Sequence, residues 1–254
     1  MNEYRAPPWL LGGHLQTIWP ALFARRYAGP PPCYERERWR TPDGDFVDID
    51  FQPGQTGQPL LVLFHGLEGS SRSHYAEAFA DTARTAGWAF AVPHFRGCSG
   101  EINLAPRAYH SGDFEEIGWM LQRLRERHGA PLHAVGVSLG GNALLRWAEE
   151  AGQAAAPVAR TIAAVSSPLD LRAGEAAIRD GFSRLVYTGT FLRTMKPKAL
   201  AKLKQHPGLF DAARLRAART LHEFDDVFTA PLHGFRNADD YYSRASAKPR
   251  LTQI

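Results

Sequence analysis

The chain has 254 residues, 44% hydrophobic and 22% charged, which suffices for one α/β domain with a sizeable core and excludes a disordered or fibrous chain. No apolar run approaches the roughly 18 residues that cross a bilayer, and the N-terminus lacks the basic-then-apolar pattern of a secretory signal. The formal charge of +4 is spread over arginines scattered among acids, without the basic stripe and interleaved aromatics of a nucleic-acid binder.

Cys33 and Cys98 make no disulfide framework, and a cytoplasmic location is expected. Residues 1–34 are rich in proline and aromatics (Pro7-Pro8-Trp9, Trp19-Pro20, Pro30-Pro31-Pro32) and carry no clear period. They read as an arm packed on the domain. Glu35–Arg40 and Phe46–Phe51 flank Thr41-Pro42-Asp43-Gly44, and an Asp-Gly pair between such segments predicts a hairpin.

A β-α rhythm follows. Leu60–Phe64, Trp88–Phe95, Leu132–Val137 and Thr161–Ser166 are short apolar runs, as expected of strands buried on both faces. Between them, His74–Ala86, Asp113–Arg127 and Leu139–Ala151 have helical spacing, with Gly87 and Gly129 closing the first two and Asp113 as the N-cap of the second. Strands alternating with helices predict a mostly parallel sheet, placing the α/β core at 35–171.

From 172 to 247 the pattern is helical, a cap-like insertion. There Phe182, Leu185, Tyr187, Phe191 and Leu192 either line an acyl pocket or form the insertion's own core. The lysines from Lys196 to Lys204 read as a solvated helix face, with weak attraction to an anionic membrane surface as the alternative.

The chemistry is concentrated at Gly136-Val137-Ser138-Leu139-Gly140, where a buried strand meets a helix. A sharp strand-to-helix turn needs small residues on either side of its tip, and it lifts the Ser138 hydroxyl to a helix N-terminus that favours negative charge. Acyl transfer also needs two donors for the developing oxyanion. The N–H of Leu139 is one. The N–H of Leu67, in His65-Gly66-Leu67-Glu68-Gly69 after the first parallel strand, is the other. His65 either shapes that loop through its own hydrogen bonds or serves as the general base. Cys98 lacks an adjacent base, and no histidine or carboxylate spacing matches a metal site, so neither a metal nor an organic cofactor is expected.

These residues, together with Gly13-His14-Leu15-Gln16-Thr17, HGLEGSS, FRGCSGE, RAYHSGD, GVSLGGNALLRW and DDYYSRAS, resemble the YheT-like branch of the α/β hydrolases. That branch includes plant embryogenesis-associated proteins and animal esterases and phospholipases. The resemblance spans essentially the whole chain. It implies an α/β-hydrolase fold with a helical cap and carboxylic-ester hydrolysis through an acyl-enzyme on Ser138, with small-molecule or lipid esters as substrates.

In such enzymes the acid and then the histidine of the triad follow the nucleophile along the chain. No residue matches either one. Asp239 and Asp240 come too early, and His222 and His233 lie in the helical insertion. Residues 248–254 read as the start of the remaining core, cut off before its last strands. Two expectations follow: a fragment whose acid and histidine lie beyond Ile254, or a degenerate hydrolase that binds an acyl lipid or a protein partner without turnover.

Overall fold

Gly44 adopts φ +81°, and the N–H groups of Thr41 and Gly44 donate to Asp45 and Thr41, closing the hairpin of β1 (Glu35–Arg40) and β2 (Phe46–Gln52). In this computed structural model, which describes residues 5–129 and 132–254, the hairpin forms one margin of a six-stranded mixed sheet. The other strands are β3 (Leu60–Phe64), β4 (Ala89–Pro93), β5 (Leu132–Val137) and β6 (Thr161–Val165). The order is β1-β2-β4-β3-β5-β6. β1, β2 and β4 pair antiparallel, and β4, β3, β5 and β6 pair parallel.

Strand periodicity divides the core between two faces. Val62, Phe64, Leu132 and Ala134 pack against α3 (Phe114–His128) and α4 (Leu139–Ala151). Leu63, Val135 and Val137 pack on the other face against Ala76, Ala80 and Ala83 of α2 (His74–Thr85). The apolar runs of β3 and β5 are therefore continuous because both faces are covered, whereas β6, expected to be buried, lies at the sheet edge and is mostly exposed.

Two local features go beyond the sequence pattern. Asp113 does precede α3, but its side chain makes no capping bond and pairs with Arg107 instead. The N-terminal arm, whose residues 1–4 lie outside the described residues, contains helix α1 (Gly12–Phe23). Two opening glycines and Pro20 inside the helix hide it from propensity reasoning.

Beyond β6 the chain is helical: α5 (Leu171–Ile178), α6 (Gly181–Ser183), α7 (Gly189–Gln205), α8 (Ala212–Ala217), α9 (Leu221–Phe224), α10 (Ala230–Leu232) and α11 (Ala238–Ala245). Wide π-turns at Arg184–Thr188 and Asp225–Thr229 interrupt the series. The layer has its own core around Leu192, Leu215, Phe224 and Phe228. Asn142, fully buried in α4, joins it to the sheet layer. Its amide donates to the Ser111 and Ala245 carbonyls (2.9 and 2.8 Å), and its oxygen accepts from the Ala247 N–H at 3.0 Å.

The lysines of α7 do not form a solvated face. Lys202 is buried and donates to the Asn103 and Ala105 carbonyls, Lys196 donates to the Arg216 carbonyl, and Lys198 pairs with Glu68 at 2.9 Å. Among the described residues no helix is long and apolar enough to cross a membrane.

Candidate active site

Ser138 closes β5 and opens α4 with φ +53° and ψ −121°, a conformation that strains any residue with a Cβ. Its N–H donates to the Val165 carbonyl at 2.9 Å, fastening the turn to β6. The flanking glycines are required by contact. A Cβ on Gly136 would lie 2.4 Å from the Gly141 Cα, and one on Gly140 would lie 2.4 Å from the Phe64 carbonyl oxygen. The strand end, the helix start and the loop after β3 thus approach more closely than side chains allow.

That loop borders the serine. A Cβ on Gly66 would sit 3.2 Å from the Ser138 Cβ. The Gly66 N–H donates to the Tyr75 hydroxyl at 2.8 Å, and the Gly69 N–H donates to the Gly66 carbonyl at 2.9 Å. Glu68 adopts φ +58°, and Tyr109 holds it there: the Tyr109 hydroxyl accepts from the Glu68 N–H and donates to its carboxylate, both at 3.0 Å. Among the described residues the N–H groups of Leu67 and Leu139 have no hydrogen-bond partner, so both remain available to a ligand.

Leu67, Ser138 and Leu139 line one cavity of about 610 Å³, within the range of small-molecule sites. Its floor is the carboxyl edge of the sheet, including Ser166 and Ser167 after β6. Its roof comes from the helical layer, and the exposed Gly13, His14 and Thr17 of α1 also line it. Ser166 is a third non-glycine residue at positive φ, +50°. Backbone strain at the ends of β5 and β6 therefore falls on this cavity, and the strained Glu68 adjoins its lining residue Leu67.

Of the five aromatic and aliphatic residues considered for an acyl pocket, Tyr187 and Phe191 line the cavity. Leu192 is buried in the helical layer's own core, while Phe182 and Leu185 are exposed. A π-turn at Arg184–Thr188 and the pairing of Tyr187 with His14 decide which side chains turn inward, and spacing alone does not encode either.

The histidines divide clearly. His65 is fully buried; its Nε2 accepts from the Phe95 N–H at 3.1 Å, which leaves Nδ1–H to donate to the Gly66 carbonyl at 2.8 Å. Burial, aided by His94, pulls its pKa down to about 3. With both nitrogens engaged, it shapes the loop and is no base. His233 packs against His110, with its ring nitrogens near the Thr229 and Ala108 carbonyls, and His222 sits 3.6 Å from Asp239.

Among the described histidines only His14 lines the cavity, and its Nδ1 meets the Tyr187 hydroxyl at 2.9 Å. The Ser138 hydroxyl has no hydrogen-bond partner among the described residues. Burial pushes the Cys98 thiol up to about 12, so it is not a nucleophile at neutral pH. No cluster of metal-ligating side chains occurs among the described residues.

Sequence reasoning missed Asp225, a cavity-lining carboxyl in the second π-turn. The hydroxyls of Thr229 and Tyr242 donate to it at 2.6 and 2.8 Å, and burial nevertheless pushes it up to about 6. Its partners lie on the same helical segment and on α11, so no local motif marks it.

The sequence pattern of the alpha/beta hydrolase fold matches residues 59–227. An Escherichia coli protein named "Putative esterase YheT" is 43% identical over 247 residues, spanning 95% of this chain and 71% of that protein. Phospholipase ABHD3 of Mus musculus is 26% identical over 89% of this chain and 56% of its own length. The monoacylglycerol lipase of Saccharomyces cerevisiae is 29% identical over 86% of this chain and 49% of its own. The chain thus spans between about half and about seven-tenths of these relatives.

Proposed function

The chain belongs to the α/β-hydrolase family and is an enzyme of its esterase and lipase type; from that premise we propose that it cleaves acyl or lipid esters through an acyl-enzyme on Ser138. The observation that carries this reading is the strained backbone of Ser138 and Ser166 at one cavity, beside the two unpartnered N–H groups of Leu67 and Leu139. In this reading residues 35–171 are the hydrolase core, and the helices between 172 and 247 are a cap that shapes the substrate space.

In the first step the Ser138 oxygen bonds to the ester carbonyl carbon, and a histidine takes the hydroxyl proton. The carbonyl oxygen becomes an oxyanion held by the N–H groups of Leu67 and Leu139. Collapse expels the alcohol, which takes the proton from the histidine. Water then attacks the acyl-enzyme by the same route and releases the acid. Among the described residues no histidine bonds the Ser138 hydroxyl, so the histidine and its carboxylate are defined in this step by their roles alone.

A fluorophosphonate probe on the full protein tests the assignment. One adduct at Ser138, lost in Ser138→Ala together with ester hydrolysis, is the expected result. Hydrolysis that survives Ser138→Ala overturns it. Absence of any adduct makes the domain a non-catalytic module that binds an acyl lipid or protein partner.

A further inference from the structure

Helix α1 presents its apolar side to solvent. Leu11, Leu15, Ile18 and Leu22 are spaced by four, three and four residues, the spacing of one helical stripe. In a surface helix that stripe ordinarily faces the core, yet α1 contains no buried residue. Its polar edge, with His14 and Thr17, faces the cavity instead. Phe23 extends the apolar side, and Phe182 continues it across to the turn before α7, with its ring 5.0 Å from that of His14. Leu11, Leu22, Phe23, Phe182 and Leu185 are all more than half exposed, from 54% at Phe182 to 75% at Leu11.

The charges along these two segments are basic, with Asp180 and Asp81 at their margins. Residues 5–28 contain Arg5, Arg25 and Arg26 and no acid, and residues 181–200 contain Arg184, Arg193, Lys196 and Lys198 and no acid. Arg26 and Lys198 are tied to Glu77 and Glu68, whereas Arg25, Arg184 and Arg193 form no ion pair among the described residues, and Arg25 donates to the Tyr27 and Ala28 carbonyls. An exposed apolar stripe bordered by unpaired arginines matches a membrane surface, where apolar side chains enter the acyl boundary and arginines meet lipid phosphates. Trp9, exposed and edge-on to Trp19 at 4.7 Å, is the residue type that settles at headgroup level.

We propose that α1 and the turn at Phe182–Leu185 form a docking surface for an anionic bilayer, seated beside the Ser138 cavity. Docked there, the cavity opens toward the layer that holds lipid esters, so substrate reaches Ser138 without crossing water. The purpose of the surface rests on the esterase reading, but the contact itself does not.

Flotation of the full protein with vesicles separates the two. Vesicles of phosphatidylcholine plus phosphatidylglycerol should carry the protein upward, and phosphatidylcholine alone should carry much less. Leu22→Ser with Phe23→Ser should weaken partitioning roughly tenfold or more, as should Leu185→Ser on the separate segment. Arg25→Glu with Arg184→Glu should remove the preference for the anionic lipid. All these side chains are on the surface, so thermal unfolding and phosphonylation of Ser138 by a soluble probe should not change. No flotation, or flotation indifferent to these substitutions, overturns the proposal. So does a solution dimer that Leu22→Ser with Phe23→Ser dissociates, because a second copy would then cover the face. A protein that floats but is never phosphonylated keeps the docking surface and loses the esterase reading.

Discussion

Tyr109 grips Glu68 by two groups at once, accepting from its N–H and donating to its carboxylate. Glu68 immediately follows Leu67, so this grip sets the direction of the N–H proposed to hold the oxyanion. Tyr109→Phe removes both bonds while keeping the ring stacked on Phe95. The full enzyme should lose about 10- to 100-fold in kcat, with KM little changed, because misplacement of a donor by about 1 Å costs that much. Equal loss in KM, or no loss, would show that the loop holds its shape without Tyr109.

Arg96 is the centre of an acidic cage. It donates to Asp43, Asp45 and Glu116 at 2.8 Å each while itself only 5% exposed. Arg96→Met leaves buried carboxylates unpaired and should cost about 3–5 kcal/mol in urea unfolding. Burial works against the charge on Asp43, but hydrogen bonds from Arg96 and Thr41 outweigh it and hold the carboxyl down at about 2. An unfolded aspartate titrates near pH 4, so this stabilisation is present above about pH 4 and is lost as pH falls through 2. In Arg96→Met the acid limb of the stability curve should be shallower over that window.

Asp225 predicts the opposite slope. Its carboxyl is raised to about 6 by burial, so between about pH 4 and 6 the native state keeps a proton that the unfolded chain releases. Wild type should therefore lose stability relative to Asp225→Asn as pH rises across that window, and the difference should flatten on either side. A difference independent of pH would mean that Asp225 titrates alike in the folded and unfolded chain.

Asn142→Leu tests the join between the layers. It keeps similar bulk but strands the Ala247 N–H and the Ala245 carbonyl in a dry site. Unsatisfied buried groups cost about 1–3 kcal/mol each, so a loss of about 2–6 kcal/mol is expected in chemical unfolding. A loss within ±0.5 kcal/mol, the size expected at the surface, would mean that water replaces the bonds.

The strands and the serine turn were legible because each obeys a local rule. Strands covered on both faces need unbroken apolar runs, and a turn as tight as that at Ser138 needs Gly136 and Gly140. Lys198 and Lys202 were misread because their partners, Glu68, Asn103 and Ala105, lie far earlier in the chain, 99 and 97 residues before Lys202 and farther still before Lys198. A lysine next to lysines looks solvated until the fold places an acceptor opposite it. Helix α1 was missed for a different reason: its stripe is real, but it faces outward and is interrupted by glycine and proline signals.

The Asn142 amide also has a consequence for synthesis. Its acceptor and donor partners at Ala245 and Ala247 are added 103 and 105 residues later. At about 5–20 residues per second, the helix that carries Ser138 waits roughly 5–20 s on the ribosome before those bonds can form. During that interval its buried face still needs water at Asn142, so the nascent hydrolase core stays incompletely packed until the final helical turns have emerged.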